Sequence, residues 1–335
     1  MKFRKRPLLI SLLAALTALA ASHNLRSEEE KGLTLGPSTL LRFASVEESQ
    51  HLLRTPDEFT KRLSPFDICV RMNVAEPLPM KDFLERVASS ALEWEQSERQ
   101  HVEAALEKLR PTLDKLELPL PKTILLIKTN GREEAGAAYT RQNGIIFHPG
   151  VLKGDAKQFS RLLAHELFHV ISRNSSKLRD QLYKIIGFEP CNEIAFPASL
   201  RGRKITNPDA PVNAHFIRLK IAGREMPVPA VPVLMASQET IDSEANRSLF
   251  SYLTVQFLVI EQIGDKWRPG KNSENDPDVV AMARAGNYRE LVGANTNYTI
   301  HPEEIIADNF AFLATGKKDL PSPKIIEEMR KVLSP

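Results

Sequence analysis

The chain has only two cysteines in 335 residues, Cys69 and Cys191, far apart in sequence and in no CxxC pair, which excludes a cysteine-built metal site. In an exported protein they could form one disulfide or stay as two buried thiols, and neither is placed as a nucleophile. An excess of charge of one sign is also lacking. Forty-five Lys and Arg stand against 42 Asp and Glu, for a formal net charge of +3, so a basic surface for nucleic acid or an anionic membrane has no support. Long apolar runs are missing too. Leu8 to Ala20 is the nearest to one, and it is too short for the roughly 20 residues that span a bilayer. No cysteine follows it, so a lipid-anchored start is not indicated.

That short run has a different use. It follows the basic start Met1-Lys2-Phe3-Arg4-Lys5-Arg6 and ends at Ala18-Leu19-Ala20, the small-x-small pattern that signal peptidase takes. Residues 1–20 therefore read as a secretory signal. Their loss removes four positive charges and no negative one, which takes the net charge from +3 to −1. Residues 21–39 are polar, with Glu28-Glu29-Glu30-Lys31, and read as a flexible leader, with order expected from about Leu40.

Residues 40–120 read as a mainly helical N-terminal region. Pro56 and Pro65 break the first part into short helices. From Asp82 to Leu109 the positions Phe83, Val87, Ala91, Trp94, Val102, Leu106 and Leu109 recur every three or four residues, which predicts one long helix ended by Pro111. Its charged positions, Glu98 among them, read as a solvated face. Leu118 to Pro121 is a linker, and the composition then turns to strand formers. Thr123–Ile127 predicts a buried strand. Ala137–Thr140 and Ile145–Phe147 flank Arg141-Gln142-Asn143-Gly144 and predict a hairpin. Pro149-Gly150 turns the chain into a helix from about Ala156 to Arg173. Residues 121–335 read as one domain, and the class expected is α+β.

That helix carries His165-Glu166-Leu167-Phe168-His169, an HExxH pattern in an apolar run. Histidines four apart share a helix face, so both imidazoles can meet one zinc ion, and Glu166 can take a proton from a zinc-bound water. A catalytic zinc needs a third protein ligand and an open position. The continuation lacks the Gly and His of HExxHxxGxxH, so a metzincin is excluded. Far downstream, His301-Pro302-Glu303-Glu304 opens another amphipathic helix, where Glu304 and Asp308 project together as ExxxD and Glu303 competes as the ligand.

The order of strand, hairpin and HExxH helix resembles the zincin metallopeptidases, and the downstream ExxxD resembles their gluzincin pattern. The resemblance covers about a quarter of the chain. It implies that His165, His169 and Glu304 bind Zn2+, that Asp308 supports a ligating histidine, and that Glu166 is the general base. It also implies an edge strand before the active-site helix that holds the substrate backbone by strand addition, here the hairpin, which could equally serve only to cover the core. The chain departs from thermolysin-like enzymes in having no His after His301 and in the 134 residues between His169 and Glu304. Tyr298 is the first choice for the group that stabilises the oxyanion, ahead of Tyr139, His215 and His301.

The insertion predicts a helix at Leu178–Ile186, a solvated loop from Arg201, apolar stretches at Phe216–Ile221 and at Val228–Met235, the latter broken by Pro229 and Pro232, and a core helix at Ala245–Ile263. No GxMEN-type exopeptidase motif occurs. The function expected is a secreted or periplasmic zinc endopeptidase acting on peptides or proteins, without nucleic acid and without a membrane anchor once the signal is gone. A non-enzymatic exported zinc-binding or chaperone-like protein is the second class. Oligomeric state is left open.

Overall fold

The computed structural model describes residues 32–245 and 247–334. The expected signal, and the leader up to residue 31, lie outside the described residues. What is described of that leader is strand rather than flexible chain: Leu33–Leu35 (β1) pairs antiparallel with Thr39–Phe43 (β2). Leu35 and Leu41 explain this, since both are buried in the main core.

The fold is α+β. Thr123–Lys128 (β3) lies parallel to β2 on one side and to Gly144–Phe147 (β5) on the other, and Tyr139–Arg141 (β4) closes the sheet antiparallel to β5, giving the order β1-β2-β3-β5-β4. The hairpin turns at Gln142-Asn143, with Gln142 in the left-handed region at φ 52°. Gly144 is instead the first residue of β5, where a Cβ would come within 3.1 Å of the side chains of Ile127 and Leu52. Close packing, not the turn, requires glycine there.

Both faces of this sheet are covered. Leu126, Ile145 and Phe147 pack against Gln96–Leu113 (α4) and Ala156–Asn174 (α5), while Ile127, Ile146 and Tyr139 meet Leu52 and Leu53 of Val46–Arg54 (α1) and Phe83, Leu84 and Val87 of Met80–Ala88 (α3). The expected single helix from Asp82 to Leu109 is therefore two. Between them the chain leaves helical geometry to reach β3: Leu92 N–H donates to the Lys128 carbonyl at 2.8 Å, and Trp94 Nε1 to the Leu126 carbonyl at 3.2 Å. Glu98 is not on a solvated face. It is buried, pairs with Lys128 at 2.7 Å and completes the N-terminal capping box of α4. Pro111 sits inside the helix, which runs on to Leu113.

The insertion builds a second sheet of seven strands. Phe188–Pro190 (β6), His215–Leu219 (β8), Val228–Ala236 (β9), Leu253–Ile263 (β10) and Lys266–Pro269 (β11) run in the order β11-β10-β9-β8-β6, with Lys204–Ile205 (β7) on β9 and Val279–Ala281 (β12) on β10. Here the helix expected over Ala245–Ile263 is overturned. Among the described residues of that stretch only Leu249–Tyr252 is helical, and β10 pairs along β9 from Leu253↔Ala236 to Val259↔Ala230. Its β-branched Thr254, Val255, Val259, Ile260 and Ile263 favour that strand over the helix their spacing allowed. β9 also runs unbroken through both prolines, with Pro229 opposite Arg218 and Pro232 opposite Phe257. In the loop read as solvated from Arg201, Arg201 and Gly202 are exposed, but Lys204 is buried with its ammonium over the Phe196 ring. Cys69 and Cys191 are free thiols. Among the described residues, no helix is long and apolar enough to cross a membrane.

Three helices complete the core on the far side of α5. Ser176–Ile185 (α6) matches the helix expected at Leu178–Ile186, Pro302–Ala314 (α7) lies against α5, and Pro323–Leu333 (α8) packs on α6 and α7. Every residue of α7 is buried, polar ones included. Phe168 of α5 and Phe310 of α7 stack with ring centroids 5.5 Å apart. Phe168→Ala should cost about 3–5 kcal/mol by cavity formation, against under about 1 kcal/mol for the exposed Phe250→Ala, as measured by urea unfolding. Equal losses from the two would contradict this account of the core.

Candidate metal centre

Asp155 caps α5 by accepting from the N–H groups of Lys157 and Gln158, so the helix starts at Ala156 and its register sets the HExxH face. One side of α5 is committed to the core through Leu163, Leu167, Phe168, Val170 and Ile171. His165 and His169 emerge beside α7, with ring centroids 4.7 Å apart. At the start of α7, His301 Nδ1 accepts from the Glu303 N–H at 3.1 Å and Pro302 fills the first helical position. His301 is a cap.

The two helices meet through their polar residues. His165 Nε2 lies 3.1 Å and His169 Nε2 3.7 Å from Glu304 Oε2, so both nitrogens converge on one carboxylate oxygen. The other ring nitrogens point away from it: His165 Nδ1 is 3.2 Å from Asp308 Oδ1, and His169 Nδ1 is 2.9 Å from Glu303 Oε1. This distinguishes the adjacent glutamates. Glu304 faces the same space as both histidines, whereas Glu303 grips the back of His169. Glu303 is itself held by Ser172 Oγ at 2.5 Å and by the Tyr183 hydroxyl, and Asp308 by Thr296 Oγ1 and by Arg161 Nη2 at 3.0 Å.

Glu166 is 2 % exposed, and among the described residues its Oε2 has no hydrogen-bond partner. An orphaned buried carboxylate oxygen beside two convergent imidazoles and a second carboxylate fits a divalent ion with a water to be deprotonated. The two nitrogens and one oxygen are the donor types zinc takes in open sites. Burial and the charge of Asp209 push the Glu166 carboxyl up to about 8. Burial opposes a charged His169, but the carboxylates of Asp209 and Glu304 and the bond to Glu303 push it up to about 9. His165, desolvated in the same way, is held well above the ordinary imidazole range by Asp308 and Glu304.

The residues expected from sequence thus come together as His165, Glu166, His169, Glu304 and Asp308. Tyr298 is close, its ring 6.5 Å from that of His165 and 41 % exposed. The lesser candidates are engaged elsewhere: Tyr139 is buried with its hydroxyl 3.3 Å from Glu133, and His215 pairs with Asp180 at 2.8 Å. Two residues went unnoticed in the sequence. Asn207 Nδ2 donates to Glu304 Oε1 at 2.6 Å, and an Asp209 oxygen lies within 4.8 Å of ligating atoms of His169 and Glu304. They belong to an irregular loop in the insertion, where no periodicity or spacing marks them.

Residues 129–177 match the eCIS core domain. The matched stretch runs from the residue after β3 through the hairpin and the HExxH helix to the start of α6, and it leaves out Glu304 and Asp308. No curated protein and no solved structure matches the chain.

Imidazoles must lose their protons before they can bind a metal. With His169 pushed up to about 9 and His165 raised as well, metal uptake at neutral pH should release protons, and apparent zinc affinity should rise from pH 6 to pH 9. The slope should be up to about tenfold per pH unit for each histidine still charged. Calorimetric titration in buffers of different ionisation enthalpy reads both quantities. A pH-independent affinity over that range would refute the assignment of these histidines.

Proposed function

We propose that this protein is a zinc-dependent endopeptidase of the zincin type, gluzincin-like in its ligand set, which hydrolyses peptide bonds outside the cytoplasm. One observation carries the reading: His165 Nε2 and His169 Nε2 converge on Glu304 Oε2, with the buried, unpartnered Oε2 of Glu166 beside them. His165, His169 and Glu304 would hold the ion. Bound zinc supplies a Lewis acid and lowers the pKa of water at its open position.

The chain's own groups do the rest. Glu166 takes the proton of the attacking water on Oε2 and returns it to the leaving amine. Its carboxyl, at about 8 without the ion, would be lowered by a nearby cation into the range of a general base working at neutral pH. Asp308 and Glu303 fix the two imidazoles so that each presents Nε2, and the part-exposed Tyr298 beside His165 is the donor proposed for the oxyanion. The outer edge of β4 is where an extended substrate would add as a strand. Export is supported by the signal-like sequence of residues 1–20 and by the match to a domain of extracellular contractile injection systems.

A second reading has its own support. If Asp209 joined the histidines and Glu304 permanently, four protein ligands would close the site, as in structural zinc proteins, and the chain would be an exported zinc-binding or chaperone-like protein.

Purified protein should hold about one zinc per chain. Glu166→Gln should keep that metal and lose peptide hydrolysis by roughly 1000-fold or more, since it removes the proton acceptor and no ligand. Tyr298→Phe should lower kcat about 100-fold with zinc retained. Glu304→Ala should deplete zinc, and Glu303→Gln should weaken it only about 10- to 100-fold, as loss of an orienting partner does. Metal analysis with a peptide-library digest reads all of these, and full activity in Glu166→Gln would sink the mechanism.

A further inference from the structure

A third part of the chain enters the centre. The segment from Thr206 to Pro211, between β7 and β8, crosses the free edge of β4 and is fastened at both ends. At Thr206, the N–H donates to Asp67 Oδ1 at 3.0 Å, the hydroxyl to Asp67 Oδ2 at 2.9 Å, and Arg71 Nη2 donates to the carbonyl at 2.8 Å. Asp67 and Arg71 lie on helix Pro65–Met72, both buried and paired with each other. At Asp209, Oδ1 accepts from the Thr140 N–H at 2.7 Å and from its hydroxyl at 2.6 Å, while Arg173 Nη2 lies 3.4 Å from the Asp209 carbonyl. Pro208 stiffens the path between, and Pro211 the chain just beyond.

The segment therefore occupies two things a substrate needs. The Thr140 N–H is a donor on the edge strand that an added peptide strand would use, and Asp209 already holds it. Asp209 also brings a carboxylate within 4.8 Å of ligating atoms of His169 and Glu304. Both of its bonds to Thr140 fall on the same oxygen, Oδ1. Three carboxylates, Asp209, Glu304 and Glu166, crowd one space in which Glu166 Oε2 is buried without a partner. Carboxyl oxygens gathered beside two imidazoles in this way are the donor types a divalent cation takes.

We propose that Asp209 is a fourth metal ligand in the resting protein, and that the Thr206–Pro211 segment holds the centre closed until a peptide displaces it from the edge of β4. This rests on the zinc-peptidase reading and deepens it: the open position is filled internally, and the two readings of the site become its open and closed states. Opening exchanges the bonds of Asp209 to Thr140 for those of an incoming strand, so displacement by substrate leaves the edge paired.

The test uses the full mature chain loaded with cobalt(II), and separately with zinc. Asp209→Asn keeps an Oδ1 that can accept from Thr140, while its amide nitrogen cannot ligate a metal. The visible spectrum of the cobalt form should change on this substitution, acetohydroxamate should bind the cobalt form about tenfold more tightly, and peptide hydrolysis by the zinc form should rise about tenfold, if nine-tenths of the resting molecules are closed. Thr140→Val, which removes one of the two bonds that hold Asp209, should move acetohydroxamate affinity and hydrolysis the same way by a smaller factor. Spectra and hydroxamate affinity unchanged in both variants would overturn the proposal, and so would an altered spectrum without faster hydrolysis. A parent chain that takes up no metal would instead overturn the peptidase reading itself.

Discussion

The seam between α5 and α7 is a pair of helices joined by imidazoles and carboxylates in the interior of the protein. Both helices are amply apolar, and Phe168 against Phe310 would hold them together. Yet α7 buries every one of its residues, Glu303, Glu304, Asp308 and Asn309 included. An unpaired buried charge costs several kcal/mol, so these acids are tolerable only because each has a partner across the seam. The register of α7 on α5 is thereby fixed twice, once by packing and once by the matching of His165 to Asp308 and of His169 to Glu303. A slide of one helical turn would part both pairs, with buried His169 left without its carboxylate. The geometry that suits a metal is the same geometry that makes the seam stable.

Much of this was legible from residue spacing. HExxH named both histidines and Glu166, because a period of 3.6 puts positions four apart on one face whatever the fold. ExxxD named Glu304 and Asp308 in the same way. Adjacent positions are harder: Glu303 and Glu304 point about 100° apart on a helix, so choosing between them needed the direction from which α5 approaches. That direction is a tertiary fact. Asp209 and Asn207 were beyond reach for a related reason, since an irregular loop has no period and its position depends on distant anchors at Asp67 and Thr140.

The errors in reading the fold follow from the same limit. Leu249, Phe250, Leu253, Val255, Phe257 and Ile260 satisfy helical spacing, but a strand buried on both faces also shows apolar residues without strict alternation. Pairing of β10 with β9 and β12 decided for the strand. In the long helix expected around residue 90, apolar spacing persisted through a break, because Ala91 and Trp94 are buried against the sheet rather than along a helix stripe. Burial alone kept the pattern alive where hydrogen bonding had changed.

The proposed ligands come from positions 165, 169 and 304, on α5 and α7. Until α7 has been made and has docked, the chain carries an HExxH helix whose two imidazoles lack their third companion. The insertion that builds the second sheet must fold in between, with slow non-local strand pairing of its own. Assembly of the centre thus waits on an element made well after the motif, timed by the order of the chain. A molecule cut short before residue 302 would keep its motif and never gain its centre.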